Sequence, residues 1–182
     1  MGPVVLALSV PPHPPDEAAF ASARRRWEEH FRRLADMSGP ENPHVIAEEM
    51  GDWMTDNVTV IRENGKLRET ETKLQQLSER WDRIGLTDRS TYANREISFV
   101  NQLRNMLVLA RVMTRGALLR EESRGAHFKV RDLSASIEGE NVLPRDDANF
   151  LKTTMAEHTP DGPRVTYAPV DTSLVKPRPR KY

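Results

Sequence analysis

The side chains best suited to chemistry lie together in one stretch, Arg120-Glu121-Glu122-Ser123-Arg124-Gly125-Ala126-His127. Two guanidinium groups, two carboxylates, a hydroxyl and an imidazole fall within eight residues around a single glycine. Gly125 suits a helix C-cap or a close approach of two backbones. Arg124 beside it is placed for a bidentate grip on a carboxylate or on backbone carbonyls. The plain alternative is a helix terminus with incidental charges. Arg145, Asp146 and Asp147 lie farther along and, with Arg124, suggest ion pairs. Such pairs contribute at most about 1 kcal/mol each in water and more in a desolvated interface with complete hydrogen bonding.

Other groups fit chemistry less well. The five histidines are scattered at 13, 30, 44, 127 and 158. His44 and Glu48 could meet at i, i+4 on a helix and hold a metal weakly, but a third ligand is missing, so a solvated face is the expectation. Glu28-Glu29, Glu48-Glu49, Glu121-Glu122 and Asp146-Asp147 are adjacent pairs. Neighbours on a helix point in different directions, which makes them poor acid/base dyads and ordinary charged surface. The nine glycines are never closer than nine residues apart, so neither GxGxxG nor GxxxxGK[ST] can be written. A phosphate-cradling loop of either kind is excluded. With no cysteine, disulfides, thiolate catalysis and cysteine metal sites are excluded too. Zero cysteine also fits a reducing compartment.

The elements that must position these groups are mostly helical. The 182 residues carry 37% apolar and 30% charged side chains with zero formal net charge, an ordinary globular balance without a nucleic-acid footprint. Of the 27 cations, 21 are arginine, a residue suited to interface ion pairs and carboxylate forks. Residues 1–15 end in a proline cluster and read as a linker or a ragged start. Asp16 is expected to cap a first helix whose Phe20, Trp27, Phe31 and Leu34 share one face. Ser38-Gly39-Pro40 stops it. A second helix begins near Pro43, with Val45, Ile46, Met50, Trp53 and Met54 as its apolar side. Asn64-Gly65 is either a helix end or a hairpin turn, and poor alternation in the flanks favours the helix end. Leu67, Leu74, Leu77, Trp81 and Ile84 mark a third helix. A fourth, from about Ala93 to Glu122, is apolar around most of its circumference and should sit at the centre of the bundle. Its interruption by Arg104, Arg111 and Arg115 argues against a membrane span, and direct membrane insertion is not expected. After Ser123 periodicity fades, and only Asp146–Glu157 looks helical. The expectation is all-α: a three- or four-helix antiparallel bundle over residues 16–123, then an extended tail over 124–182 with one short helix.

Glu122-Ser123-Arg124-Gly125-Ala126-His127 resembles the C-terminal region of the succinate dehydrogenase and fumarate reductase flavoprotein family, a region the L-aspartate oxidases share. The family pattern continues in Pro144-Arg145-Asp146-Asp147 and Phe150-Leu151-Lys152. Asn105-Met106-Leu107 and Leu109-Ala110-Arg111 look like its core helix. Trp53 to Val58 and the ending Val170 to Arg178 are similar to the succinate dehydrogenases, the ending arguing against the L-aspartate oxidase branch. Together these motifs span about Pro40 to Tyr182. Val130–Asn141 looks like a small insertion, and Phe150 stands where many members have tryptophan.

The resemblance implies FAD-dependent oxidoreduction of succinate and fumarate for the complete subunit. The family's flavin-binding and capping domains lie upstream of the region matched, so this chain is expected to hold no catalytic, cofactor or metal residue of its own and to be inactive alone. Ser123, Arg124, Gly125, His127, Arg145, Asp146 and Asp147 become candidates for inter-domain docking. The implied partners are the flavin domain and the iron–sulfur subunit. The implied location is cytoplasmic, peripheral at the inner face of the plasma membrane through partner subunits. The competing reading is a free-standing helical interaction module, with the tail as its binding arm.

Overall fold

A computed structural model describes residues 17–178; the linker and the Asp16 cap expected from the sequence lie outside the described residues. Four long helices come first: α1 (Glu17–Ala35), α2 (Pro43–Val58), α3 (Asn64–Trp81) and α4 (Arg95–Leu119). Pro43 opens α2, where its missing N–H costs nothing, and Asn42 accepts from the His44 amide at 2.8 Å. At the head of α4 the Asn94 side chain accepts from the amides of Glu96 and Ile97 at 3.0 and 3.1 Å. The Glu96 carboxylate reaches back to the amides of Thr87 and Asp88, both at 2.8 Å.

The core lies among α2, α3 and α4, with α1 contributing Leu34. Ile46, Leu74, Leu77, Ile84, Val100, Leu103 and Leu107 are buried there. The Trp81 indole N–H donates to the Val100 carbonyl at 2.9 Å, fixing the end of α3 against the start of α4. The two connections at that end cross closely. A Cβ on Gly39 would fall 1.9 Å from the Arg83 carbonyl oxygen, and one on Gly85 would fall 2.0 Å from that of Gly39. Only glycine permits this contact. We expect Leu107→Ala to cost about 2–5 kcal/mol by opening a cavity. Glu29→Ala, on the exposed side of α1, should stay within about 0.5 kcal/mol. Urea denaturation of both variants gives the comparison, and equal effects would overturn this placement of the core.

Several expectations need correction. Asn64-Gly65 opens α3 instead of ending α2: the Glu63 carboxylate accepts from the Gly65 and Lys66 amides at 2.6 and 2.9 Å. α4 is buried along one side only, leaving Met106, Val108, Leu109 and Met113 exposed. Phe20, Trp27 and Phe31 on α1 are exposed as well. The fold is mostly helical and not all-α. β1 (Ile61–Glu63) pairs in parallel with β2 (Phe128–Val130), Ile61 opposite Phe128. The helix expected over Asp146–Glu157 is confined to α5 (Asp147–Phe150), after a 3-10 turn at Gly139–Asn141. The chain then runs as an antiparallel hairpin, β3 (Lys152–Thr159) against β4 (Gly162–Pro169), with Lys152 opposite Pro169. The tail therefore carries a β-ribbon folded back against α4, where the Tyr167 hydroxyl donates to the Leu119 carbonyl at 3.3 Å.

Candidate functional site

The C-terminal end of α4 is where the sequence's polar cluster converges. A helix end leaves carbonyls without intrahelical donors, and here Lys129 supplies them from β2. Its ammonium, with no solvent exposure, donates to the carbonyls of Ala117, Leu118 and Arg120 at 3.1, 2.9 and 3.0 Å. Burial pushes the Lys129 ammonium below its ordinary pKa, and Glu121 at 3.3 Å works against that. Arg62, on β1, does the same for α2, donating to the carbonyls of Val58 and Thr59, both at 2.9 Å. The short parallel pair β1–β2 thus carries the cations that close two helices.

Between them lies a tight turn. The Arg124 amide donates to the His127 carbonyl at 2.8 Å and the His127 amide to the Arg124 carbonyl at 3.0 Å. Gly125 takes the left-handed conformation this turn needs, with φ +59°. The Ser123 hydroxyl accepts from the Lys129 amide at 3.0 Å and donates to the Lys129 carbonyl at 3.3 Å. The His127 ring is nearly buried, with Nε2 3.0 Å from the Arg120 carbonyl and Nδ1 against the Arg62 guanidinium. A ring so placed is neutral, donating through Nε2 and accepting at Nδ1. Burial lowers its pKa to about 4, helped by Arg62, Lys129 and Arg120.

Glu122 is the centre of the arrangement. Its carboxylate has zero exposure and accepts from Arg124 Nε and Nη2 at 2.7 and 2.9 Å, from Arg120, and from the Asp146 amide at 2.9 Å. Burial opposes its charge, but these four donors hold the carboxyl below its usual range. Arg124 also reaches Asp147 at 2.6 Å, and Arg145 forks onto the same carboxylate at 2.6 and 2.8 Å. Those two guanidinium groups, Arg145 first, bring Asp147 down to about 2. Asp146 caps α5 through the Asn149 amide at 3.0 Å. Arg120 ties on the ribbon, donating to the carbonyls of Phe150 and Lys152 at 2.9 and 3.0 Å and to the Thr154 hydroxyl at 3.1 Å.

Ser123, Arg124, Gly125, His127, Arg145, Asp146 and Asp147 are therefore brought into one assembly. Glu122 departs from the surface role assigned to the Glu121-Glu122 pair: α4 ends at Leu119, so the two carboxylates leave the backbone in different directions, one inward and one out. Lys129 and Arg62 were not legible beforehand. Nothing in Phe128-Lys129-Val130 or Ile61-Arg62-Glu63 marks a cation that turns inward to cap a helix.

Chemically the assembly is closed. Every ionised group in it faces an opposite charge or a backbone dipole, Glu121 and Asp147 while also half exposed to water. Among the described residues no three His, Asp or Glu side chains gather to hold a metal ion. His44 instead stacks on Phe99, ring centroids 4.5 Å apart. These features define a mostly helical domain whose polar cluster fastens a β-ribbon to the end of α4.

Residues 47–182 match the family described as fumarate reductase flavoprotein C-term. The succinate dehydrogenase flavoprotein subunit of Bacillus subtilis is 42% identical over 165 residues, which is 90% of this chain and 26% of that protein. The fumarate reductase flavoprotein subunit of Escherichia coli is 33% identical over 168 residues, 92% of this chain and 27% of that one. A solved Escherichia coli quinol fumarate reductase chain superposes with a TM-score of 0.82 at 32% identity, covering 92% of this chain and 27% of its own length. The chain belongs to the succinate dehydrogenase/fumarate reductase flavoprotein family, as its C-terminal domain, and spans about a quarter of the length of these relatives.

The flavin that this family's name implies finds no cradle in the described residues. The strands β1 and β2 are three residues long, and Gly65, the glycine following β1, lies against the Glu63 carboxylate that caps α3. A pyrophosphate needs those amide donors free.

Proposed function

We propose that this chain is the scaffold on which the flavin-bearing part of a succinate–fumarate oxidoreductase is assembled. The whole subunit would interconvert succinate and fumarate through FAD, and this domain would help to shape the surface met by an iron–sulfur subunit. The carrying observation is the closed cluster around Glu122. Its cost in desolvated charge is large, and what it does is hold the ribbon and α5 against the end of α4 in the bundle of residues 17–119. Ser123, Arg124, Gly125, His127, Arg145, Asp146 and Asp147 would act in docking by fixing that position. Arg145 extends it to the final segment, donating to the Arg178 carbonyl at 2.7 Å. A place at the inner face of the plasma membrane would come through partner subunits; among the described residues no helix is long and apolar enough to cross a membrane.

The test uses the purified chain and a chimera in which the chain replaces the matching C-terminal quarter of the Bacillus subtilis subunit. The chimera should carry FAD and reduce a dye with succinate, and the chain alone should do neither. Stoichiometric flavin on the chain alone would sink the reading. A chimera that folds but takes up no flavin would favour a free-standing interaction module.

A further inference from the structure

We infer that the face formed by the exposed sides of α1 and α4, and not the Glu122 cluster, is the surface that the flavin-bearing remainder of the subunit covers, the inference resting on the function proposed above. Three observations converge on it. Trp27 on α1 is 58% exposed, and Leu109 and Met113 on α4 are 61% and 56% exposed. Isolated apolar residues at a surface are ordinary, but a patch that gathers Trp27, the exposed Phe31 ring 5.9 Å from it, and Met113 has the composition of an interface core.

These residues are linked by the geometry of α4. Asn101, Asn105, Leu109 and Met113 follow at steps of four and form one row on the helix surface. The first two line a cleft with Arg26, Trp27 and His30 of α1, and His30 Nε2 lies 2.8 Å from Asn101 Oδ1. The polar floor of the cleft therefore continues directly into the apolar row. Helix α1 is amphipathic, yet of its apolar face only Leu34 reaches the core. A helix that keeps such a face without burying it needs another surface to complete it.

Charge gives the partner's chemistry. Arg26 and Arg104 flank the cleft, and neither has a carboxylate partner among the described residues; Arg104 only lies over the Trp81 ring, at 5.4 Å. The occupant should present an apolar surface bearing a carboxylate that enters between them. The Glu122 cluster offers the opposite case, since its cations are already neutralised from within and gain little from a new anion. In the relatives about three quarters of the chain lies outside the matched region, which is the portion proposed to cover this face.

The experiment places Trp27→Glu with Leu109→Glu in the chimera described above and, separately, in the 182-residue chain. A charge put into a buried interface core should lower the flavin retained by the chimera through gel filtration roughly tenfold. The same pair should leave the melting temperature of the chain alone unchanged, because both side chains are exposed there. Full flavin retention by the substituted chimera overturns the inference while leaving the proposed function standing. Equal destabilisation of the isolated chain also overturns it, by making these residues part of the bundle's own packing. If the unsubstituted chimera takes up no flavin, the proposed function falls and this inference with it.

Discussion

Glu122→Ala should destabilise the chain by about 3–5 kcal/mol, the cost of removing one partner from a buried ion cluster. The substitution takes away a carboxylate and leaves Arg120 and Arg124 facing each other without the anion between them. It also strips the Asp146 amide of its acceptor, loosening the entry to α5. Glu122→Gln keeps the shape and one acceptor oxygen but loses the charge, so it should fall between the alanine variant and the native chain. Asp147→Ala is the informative contrast. Its carboxylate accepts from two of the same kind of donor, yet it is about half exposed, and water can replace it. That loss should be no more than about 1 kcal/mol. Urea denaturation with a common m-value for the three variants reads the order directly. Equal losses for Glu122→Ala and Asp147→Ala would mean that burial does not set the weight of these pairs.

What could be read from the sequence, and what could not, follows from what periodicity measures. Leu74, Leu77, Trp81, Val100, Leu103 and Leu107 recur at helical spacing and are buried, so α3 and α4 were legible. Phe20, Trp27 and Phe31 recur just as regularly and are exposed. A periodic face says that a helix has two sides; it does not say which molecule covers the apolar one. The ribbon was missed for a related reason. Lys152 to Thr159 has both faces largely exposed, so no alternation marks it as a strand. Its turn was written plainly in Pro160-Asp161-Gly162, a sequence that favours reversal, and Gly162 sits there with φ +119°. In the polar cluster, Ser123 to His127 stood out by composition. The burial of Glu122 and Lys129 depends on where α4 ends and on β1 arriving beside β2 from residues far away in the chain. Neither is a local property.

Acidification should weaken this chain over a range set by His127. The unfolded ring has its ordinary pKa near about 6.5, whereas in the fold burial and the neighbouring Arg62, Lys129 and Arg120 bring it to about 4. Between those limits the unfolded chain binds a proton that the folded chain refuses, so stability falls as pH falls. The contribution is fully present above about pH 6.5 and is lost progressively down to about pH 4. A difference of that size corresponds to about 3 kcal/mol at most. Glu122 and Asp147 act in the same direction but lower down. Their carboxyls are held below the ordinary range, so the stability they add is present above the ordinary carboxylate pKa of about 4 and is lost as pH falls from there through their values in the fold, overlapping only the foot of the His127 window. His127→Gln separates the two, because the amide group keeps a donor for the Arg120 carbonyl and an acceptor for Arg62 without titrating. The native chain should lose stability steeply between about pH 6.5 and 5, and the variant should be nearly flat there. Below about pH 5 protonation of the paired carboxylates adds to the loss in both. A variant as pH-sensitive as the native chain between about pH 6.5 and 5 would show that another group carries the titration and that the His127 ring is not held neutral by its surroundings.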